Sequence, residues 1–338
     1  MNLPQTTAAN GPFRAFRIHL VDKRIEARFE DITLEDLTPG EVVIRVQWSD
    51  LNYKDALAAT GAGRILRKYP LVGGIDLAGT VVSSTDARWH AGDAVLVTGC
   101  DLSETLDGGY AEYARVPAEA VISLPPGMTL RQTMQLGTAG FTAALAIHRM
   151  EENGQTPAGG PICVTGATGG VGSIAIDLLA GRGYEVVAVS GKPAADDYLR
   201  RLGAARILRR QEIDTGGGPL LKTAFGGAID NAGGDLLSWM IRSTDFRGNV
   251  ASIGLAASPK LELQVMPFIL RGVCLLGINS SATPRALRLK VWERLATDLR
   301  PRHLETICPR EVALADLPAA FQPYIDGTVT GRSLVRVA

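Results

Sequence analysis

Val164-Thr165-Gly166-Ala167-Thr168-Gly169-Gly170-Val171-Gly172 is the stretch that decides the fold of this 338-residue chain. Residues 161–164 precede it as an apolar run that fits a buried strand, and residues 173–179 follow with apolar side chains at helical spacing. The glycines therefore lie between a strand and the start of a helix. Unpaired backbone N–H groups and the positive end of the helix dipole make that position an anion site. An ordinary glycine-rich turn is the alternative interpretation.

A second predicted strand, residues 185–189, follows at the distance expected in a dinucleotide-binding βαβ unit. NAD sites place an Asp or Glu at the end of this strand to hold the ribose 2′-hydroxyl, whereas this chain has Ser190, Gly191 and Lys192. A hydroxyl and an ammonium favour a 2′-phosphate, unless Lys192 is only a solvated surface residue. We predict that NADPH is the cofactor and that backbone N–H groups of four turn residues hold its pyrophosphate: Thr168, Gly169, Gly170 and Val171.

Composition limits the possible partners and the compartment. Lys plus Arg and Asp plus Glu both number 35, so nothing points to nucleic acid or to an anionic membrane surface. No apolar stretch is long enough to span a bilayer. Residues 1–7 lack the features of a signal peptide and are expected to form a short disordered lead. The four cysteines and four histidines are scattered without metal-ligand spacing, which predicts a cytoplasmic protein with reduced thiols and no metal.

The order of predicted elements divides the chain into three parts. Short strands with turn signals between them dominate residues 1–130. They are predicted at 13–18, 41–48, 79–82 and 94–97, with another entered at 108–113. A helix is expected around 130–150. Strands and helices then alternate through residues 131–282, which predicts an α/β fold with a doubly wound parallel sheet. Its strand cores are at 162–165, 185–189, 206–208, 227–230, 249–253 and 273–278. The third part, residues 283–338, contains a helix at 284–299 and a strand at 333–337.

Three motifs resemble landmarks of the medium-chain dehydrogenase/reductase superfamily, and the resemblance extends over essentially the whole chain. They are residues 39–46 (PGEVVIRV), 91–95 (AGDAV) and 108–113 (GGYAEY). The resemblance implies a GroES-like catalytic domain, formed by residues 1–130 and by the return of residues 283–338, and a Rossmann NADP-binding domain at residues 131–282.

Zinc-binding members of this superfamily carry a Cys where this chain has Asn52, and Gly-His-Glu where it has Gly74-Ile75-Asp76. Neither Asn52 nor Ile75 supplies the thiolate or imidazole that zinc prefers. The four-cysteine structural zinc lobe is also missing from the sequence, since Cys100 is soon followed by Gly108-Gly109. The chain therefore resembles the zinc-free quinone-reductase branch, which implies catalysis without a metal.

Within that branch the chain resembles the acrylyl-CoA reductase (YhdH-type) family. The matching motifs are residues 52–58 (NYKDALA), 73–80 (GGIDLAGT), 277–280 (GINS) and 331–335 (GRSLV). The resemblance implies reduction of acryloyl-CoA to propionyl-CoA by NADPH, with hydride added to the β-carbon and a proton to the α-carbon. Negative charge would develop on the thioester oxygen, which needs positioned hydrogen-bond donors and exclusion of water.

The resemblance also suggests roles for individual residues. Tyr53 is expected to act as a catalytic or cofactor-orienting group, or else only to pack against the nicotinamide. Asn52 is expected to donate a hydrogen bond, with a local loop cap as the alternative. Arg206 is expected to contact the 2′-phosphate. Leu255 and Ser280, which follow the fifth and sixth predicted strands, are expected to line the nicotinamide.

Coenzyme A carries phosphates, so a basic substrate mouth is expected. Arg64, Arg67 and Lys68 form one candidate cluster, and Arg285 with Arg288 forms another, although such clusters are usually solvated faces. An NADPH:quinone oxidoreductase of the same fold is the nearest alternative and should not depend on a basic mouth. A catalytically idle nucleotide-binding protein is a further alternative, which would bind NADPH without turnover.

Residues 268–276 are apolar and include the last predicted Rossmann strand. In the superfamily this edge commonly pairs with its twofold mate, so the resemblance implies a homodimer. Such pairing would also cover unpaired backbone groups of the edge strand. A buried edge strand in a monomer is the alternative.

Overall fold

The computed structural model describes residues 11–338, which form two compact units. The first unit contains residues 11–138, 281–289 and 308–338, and the second contains residues 139–280 and 290–307. The predicted disordered lead at residues 1–7 lies outside the described residues. Within residues 11–338, no helix has the length and apolar character needed to cross a membrane.

The strands and helices follow the chain in this order. The strands are β1 (Phe13–Val21), β2 (Arg24–Ile32), β3 (Val42–Leu51), β4 (Leu71–Val72), β5 (Asp76–Ser84), β6 (Ala94–Thr98), β7 (Tyr113–Val116), β8 (Ile122–Ser123), β9 (Ile162–Val164), β10 (Val186–Ser190), β11 (Ala204–Arg209), β12 (Phe225–Asp230), β13 (Thr244–Ser252), β14 (Cys274–Gly277), β15 (Arg310–Ala313) and β16 (Ser333–Arg336). The helices are α1 (Tyr53–Thr60), α2 (Leu130–Glu152), α3 (Gly170–Gly181), α4 (Asp196–Leu202), α5 (Gly234–Ser243), α6 (Met266–Arg271), α7 (Arg285–Ala296), α8 (Leu304–Ile307), α9 (Leu317–Ala320) and α10 (Gln322–Ile325).

The first unit is built on a sheet in which β16 pairs antiparallel with β3, so the C-terminal strand returns to the N-terminal part of the chain. The order across this sheet is β15-β16-β3-β5-β6-β8, with β7 also paired to β3, and β2-β1-β4 form a smaller sheet. Val42, Ile44 and Val46 are fully buried because alternate side chains of β3 point to the same face. The β-rich fold predicted for this part of the chain is confirmed.

The second unit contains a six-stranded parallel sheet in the order β11-β10-β9-β12-β13-β14. This is the doubly wound arrangement, in which the two halves of the sheet diverge from the first strand, β9. Residues of β9, β10 and β12 are buried along their whole length, as expected when helices cover both faces of a parallel sheet. The predicted Rossmann sheet is confirmed.

The unit boundaries differ from the predicted domain boundaries. The first unit extends to residue 138 rather than 130, and residues 290–307 belong to the second unit rather than to a C-terminal return covering all of 283–338. Packing explains the second difference. Trp292 stacks on Phe141 with ring centroids 6.3 Å apart, and Arg294 Nη2 lies 2.7 Å from Glu151 Oε2.

Four strands of the first unit, β2, β4, β8 and β15, have no counterpart among the predicted strands, and β2 is the longest of them. It pairs antiparallel with β1 through a two-residue turn at Asp22 and Lys23, which both have positive φ angles of 49° and 65°. Asp is common at the first position of such a turn, but Lys23 stands where Gly is usual. The sequence therefore carries only part of the signal that normally marks such a hairpin.

Candidate functional site

The glycine turn of the second unit joins β9 to α3 and is closed by a hydrogen bond from Gly169 N to Gly166 O of 2.9 Å. Gly166 has a φ of +57°, which favours glycine. A Cβ on Gly172 would overlap the Gly166 carbonyl oxygen, so that position also requires glycine. Within the described chain, no side chain caps the first N–H groups of α3. The turn therefore presents main-chain donors at the start of α3, as the predicted role of Thr168, Gly170 and Val171 requires, whereas Gly169 N is already used within the turn.

The loops after the neighbouring strands lie at the same edge of the sheet, because the carboxyl ends of parallel strands meet there. Leu255, which is 65% exposed, follows β13, and Ser280 follows β14. A cavity of about 350 Å³ also opens between the residues that follow β11, β12 and β13. Its lining consists of Arg210, Gly233, Gly234, Asp235, Leu236, Ala257, Ser258, Lys260 and Glu262.

The predicted 2′-phosphate residues form a tight turn at the end of β10, where Ser190 Oγ accepts a hydrogen bond from Lys192 N at 3.0 Å. Ser190 is paired in register with Arg209, and Gln211 Nε2 lies 3.4 Å from Gly191 O. Arg209 donates two hydrogen bonds to the Asp196 carboxylate, from Nη1 at 2.7 Å and from Nη2 at 2.5 Å. The next residue, Arg210, is exposed beside this turn. Sequence reasoning missed it, although Arg209-Arg210-Gln211 directly follows a predicted strand.

The prediction that Arg206 contacts the 2′-phosphate is wrong. Arg206 is paired with Val187, three residues before the Arg209–Ser190 pair, and this corresponds to roughly 10 Å along the strand. Its Nε donates to Glu185 Oε1 at 3.1 Å, at the amino end of β10. Arg206 therefore lies at the opposite end of the sheet from Ser190 and Lys192.

A buried polar cluster in the first unit surrounds Asn52, which precedes α1. The cluster consists of Asp50, Asn52, Asp55, Asp76, Thr138 and Arg332. Asn52 Nδ2 donates to Asp50 Oδ1 at 2.6 Å and to Asp76 Oδ2 at 2.9 Å, and Asn52 Oδ1 lies 3.3 Å from Arg332 Nη1. Asn52 N also donates to Asp55 Oδ2 at 2.9 Å.

This geometry corrects the expected role of Asn52. Both amide hydrogens of its side chain are directed at carboxylates, and the residue is only 9% exposed. It therefore has no spare donor for a substrate oxygen. The structure favours the alternative interpretation, a local cap, because Asn52 immediately precedes α1 and its N donates to the side chain of Asp55; Asn52 is not placed as a catalytic donor.

Arg332 is the cation of the cluster. Its Nη2 lies 2.6 Å from Asp50 Oδ2 and its Nε donates to Gln135 O at 2.8 Å. Thr138 closes the other side, because its N and Oγ1 donate to the Asp76 carboxylate at 2.8 and 2.5 Å. Gly137 lies directly over Asp50 in a kink of α2 with a φ of +50°, and a Cβ there would overlap Asp50 Oδ2.

Three aspartates and one arginine give the cluster an excess of acidic groups, and burial penalises their charged forms. Burial, followed by the charge of Asp76, raises the pKa of Asp50 well above its usual range. The same two causes raise the pKa of Asp55 to about 7, against the opposing hydrogen bonds from Asn52 N and Ile75 N. The cluster therefore retains protons that exposed aspartates would lose.

Asn52 and Ile75, the two positions at which the resemblance implies ligands in zinc-binding members, are both buried. Ile75 N donates to Asp55 Oδ1 at 3.0 Å. Within residues 11–338, no group of three or more His, Cys, Asp or Glu side chains is arranged to hold a metal ion.

Tyr53 is the first residue of α1 and is 47% exposed, in contrast to the buried Asn52 before it. The following residue, Lys54, forms a short ion pair with Glu104, and Glu104 Oε2 also lies 3.5 Å from Arg67 Nη2. Arg64, Arg67 and Lys68 are exposed on the loop that follows α1. The structure thus brings Tyr53 and this basic loop into the same part of the first unit.

The second predicted basic cluster, Arg285 with Arg288, does not form a basic entrance to a substrate site. Arg285 donates to Glu119 O at 2.7 Å and to Val121 O at 2.6 Å. Arg288 is only 2% exposed and donates to Thr98 O at 2.7 Å and Ser281 O at 3.0 Å. The expectation that Arg285 binds substrate is therefore not carried forward, because its guanidinium supports the main chain of the first unit.

A β-rich unit interrupted by a doubly wound sheet with a glycine turn defines a class of two-unit nucleotide-binding dehydrogenases. Comparison with known proteins agrees with this class. The family model "Alcohol dehydrogenase GroES-like domain" matches residues 38–126, and the model "Zinc-binding dehydrogenase" matches residues 170–297.

Individual relatives narrow the family. The chain is 44% identical to acrylyl-CoA reductase AcuI of Ruegeria pomeroyi, covering 95% of this chain and 99% of the relative. It is also 44% identical to the putative quinone oxidoreductase YhfP of Bacillus subtilis, over 96% and 99%. The crystal structure of that protein with NAD bound matches with a TM-score of 0.94, at 43% identity over 96% and 99%.

The yhdH oxidoreductase of Salmonella enterica, solved in complex with NADP, matches with a TM-score of 0.93 at 43% identity, covering 96% of this chain and 100% of that one. The chain therefore belongs to the medium-chain dehydrogenase/reductase superfamily, in its YhdH-type family.

Proposed function

We propose that this chain is an NADPH-dependent reductase that converts the activated C=C bond of acryloyl-CoA to propionyl-CoA. The observation that carries the proposal is the glycine turn with its uncapped helix start, beside a turn that offers Ser190, Lys192 and Arg210 to a 2′-phosphate. The identity to acrylyl-CoA reductase AcuI over nearly the full length supports the choice of substrate. Within the proposed site, backbone N–H groups of Thr168, Gly170 and Val171 hold the pyrophosphate while Gly169 N closes the turn, and Leu255 and Ser280 line the nicotinamide.

Bound NADPH supplies the hydride for the β-carbon. The chain must then stabilise the negative charge on the thioester oxygen, and a proton is added to the α-carbon. Tyr53 is the proposed donor to that oxygen, because its phenol is exposed while the neighbouring Asn52 amide is fully used. A donor aimed at the developing charge contributes to kcat rather than to binding alone.

Substrate recognition is proposed for the exposed loop with Arg64, Arg67 and Lys68. Phosphates of coenzyme A would pair with these guanidinium and ammonium groups. Arg67 is 71% exposed at its side chain and its contact with Glu104 is 3.5 Å, so a phosphate can compete for it.

A quinone reductase is the second candidate, supported by the name of the YhfP relative. The two candidates differ in their need for the basic loop, because a quinone carries no phosphate. We therefore propose to compare acryloyl-CoA, crotonyl-CoA and benzoquinone as oxidants of NADPH and of NADH, using loss of the nicotinamide absorbance. The acrylyl-CoA reductase should favour acryloyl-CoA with NADPH.

Two variants sharpen this experiment. Tyr53→Phe should lower kcat with acryloyl-CoA by about hundredfold, as expected for loss of a positioned donor, while the affinity for NADPH stays unchanged. Arg64→Ala with Arg67→Ala should raise KM for acryloyl-CoA but not for a short acryloyl thioester without phosphates.

Turnover of benzoquinone with none of the CoA esters would move the function to the quinone reductase. NADPH binding without any turnover would favour the idle nucleotide-binding protein.

We also propose a homodimer through β14, the last strand of the second unit's sheet. Ile269 and Leu270 of the preceding helix are 71% and 53% exposed, as is suited to a surface covered by a second copy. Light scattering after size-exclusion chromatography should give twice the mass of one chain. In the Ile269→Asp variant the measured mass should be that of a single chain.

A further inference from the structure

Two strands of the second unit, β9 and β12, are joined at their carboxyl ends by side-chain hydrogen bonds. Thr165 Oγ1 donates to Asp230 Oδ1 at 2.6 Å and accepts from Asn231 N at 2.9 Å. The Asp230 carboxylate also accepts from Ala232 N at 3.1 Å and from Gly233 N at 2.7 Å. Thr165 and Asp230 have no exposed surface. The loop after β12 is thereby held against the start of the glycine turn.

The Asn231 side chain makes the contact closest to the turn. Its Nδ2 donates to Thr165 O at 2.8 Å. That carbonyl belongs to the peptide that links Thr165 to Gly166, the residue with a φ of +57°. A peptide next to glycine has unusual rotational freedom, and the bond from Asn231 removes it. A Cβ added to Gly166 would lie 3.0 Å from the Asn231 Cβ, so the two residues are in direct contact.

The orientation of this peptide affects the rest of the turn. Gly166 O accepts the hydrogen bond from Gly169 N that closes the turn before α3. Gly166 O belongs to the following peptide. Rotation of the Thr165–Gly166 peptide would change the φ of Gly166, and this would move that acceptor and with it the N–H groups at the helix start. Asn231 therefore controls, through Thr165, the direction in which the turn presents its donors.

The other end of the Asn231 amide shows that the residue is not optimal for stability. Within the described part of the chain, Asn231 Oδ1 is buried and has no hydrogen-bond partner. An unpaired buried acceptor costs folding free energy and needs an explanation. Because Oδ1 has almost no accessible surface, it is not placed to contact a bound molecule itself.

We infer that Asn231 is a positioning residue for cofactor binding, which acts with Thr165 and Asp230 to fix the first peptide of the glycine turn for the cofactor pyrophosphate. The inference rests on the NADPH-binding part of the proposed function. It predicts that loss of these hydrogen bonds raises the Kd for NADPH under conditions in which the chain stays folded.

The test uses the full-length chain and the fluorescence of NADPH on binding, measured well below the unfolding temperature. Asn231→Leu and Thr165→Val should each raise the Kd for NADPH by about tenfold or more, and Thr165→Ser, which keeps the hydroxyl, should stay close to wild type. Thr244→Val is the matched control. It removes a buried hydroxyl that bonds Met240 O at 2.7 Å at the other end of the same sheet, and should lower Tm without changing Kd.

A second ligand separates positioning from general damage. Adenosine 2′-phosphate lacks the pyrophosphate, so its affinity should be the same in Asn231→Leu as in wild type. Equal loss of both affinities, or an unchanged Kd for NADPH in Asn231→Leu and Thr165→Val, would overturn the inference while leaving the proposed cofactor intact. Wild-type chain that fails to bind NADPH would overturn the proposed cofactor and the inference together.

Discussion

The glycine turn of the second unit and the buried polar cluster of the first unit are prepared for function in different ways. The turn offers main-chain N–H groups and depends on the absence of side chains, as Gly172 shows by its contact with Gly166 O. The cluster consists of side chains that satisfy one another around Asn52, with Arg332 as its cation. The start of α3 offers main-chain donors to an incoming anion, whereas the side-chain donors of the cluster are used in hydrogen bonds within the cluster.

This difference determines how each region responds to change. Main-chain donors do not titrate and carry no net charge, so the turn is sensitive mainly to added volume. The cluster combines three carboxyl groups with one guanidinium in a site without water-accessible surface, so it is sensitive to charge and to pH. Perturbations of volume, charge and pH can therefore separate the two regions.

The largest effect is expected from removing the cation of the cluster. Arg332→Met leaves Asp50 without the partner that lies 2.6 Å from its Oδ2. Because burial raises the pKa of Asp50, the expected cost is that of the buried acceptors Asp50 Oδ2 and Gln135 O left without a donor, about 1–3 kcal/mol each. We expect a loss of this size in the free energy of unfolding, measured by urea denaturation.

A surface pair near the same strand provides the control. Arg336→Met removes an ion pair of 3.0 Å with Glu311, but the two side chains are 53% and 39% exposed. Such pairs contribute about 1 kcal/mol or less. If Arg332→Met costs no more than Arg336→Met, the cluster does not depend on its charge balance.

Added volume should have the next largest effect, at the turn. Gly172→Ala places a Cβ against Gly166 O and should weaken NADPH binding by about hundredfold, which corresponds to about 2.7 kcal/mol. Fluorescence titration with NADPH measures the change. Gly218→Ala is matched in chemistry but has no neighbouring atom within 4 Å of the added Cβ, so its affinity should equal that of wild type. Equal affinities of the two variants would show that the turn tolerates volume.

The sequence predicts the turn well and the cluster poorly, for a physical reason. The turn is a single stretch, so its strand, glycines and helix can be recognised together. To predict the residues around the 2′-phosphate, one also needs the register between β10 and β11. That register places Arg209 beside Ser190 and leaves Arg206 about three residues away. Strand periodicity cannot provide this register, and the family resemblance from which Arg206 was predicted did not provide it either.

The cluster brings together residues that are far apart in sequence. Arg332 Nη2 reaches Asp50 across 282 positions, and Thr138 reaches Asp76 across 62. Asn52 and Asp76 could be recognised by their position in family motifs, and Asp50 lies two residues before Asn52, but nothing in the sequence indicates that Arg332 and Thr138 reach the same cluster. The loss of Asn52 as a free donor follows from these distant contacts and was not predictable.

A dependence of stability on pH, smaller per pH unit than the two effects above, should also distinguish the cluster from the turn. The raised pKa of Asp55, about 7, exceeds the value of about 3.9 expected in the unfolded chain. The folded chain therefore binds a proton more tightly, and stability falls as pH rises between about 4 and 7, by about 1.4 kcal/mol per pH unit for one group. Asp50 acts in the same direction.

Urea denaturation at several pH values checks this slope. Asp55→Asn removes one titrating group, so its stability should fall less steeply over the same range. In Asp36, hydrogen bonding to Thr33 lowers the pKa, and stability from that group is lost only as pH falls below about 4. Asp36→Asn should therefore leave the slope above pH 4 unchanged. A wild-type stability that rises from about pH 5 to pH 7 would contradict proton retention in the cluster.

The smallest effect concerns the loop that supports the cluster through Gly99 N, which lies 3.3 Å from Asp76 Oδ1. In the glycine turn the left-handed position is a glycine, but here Asp101, with a φ of +65°, takes that conformation. Asp101→Gly should relieve about 1–2 kcal/mol of backbone strain at this left-handed position. The extra conformational entropy of an unfolded glycine costs about 0.5–1 kcal/mol. The free energy of unfolding should therefore rise by only about 0.5 kcal/mol. Calorimetry should show a Tm higher by about 1–2 °C. Asp101→Ala keeps the strained φ and should show no gain, so an equal rise in both variants would place the effect in the lost carboxylate rather than in the backbone.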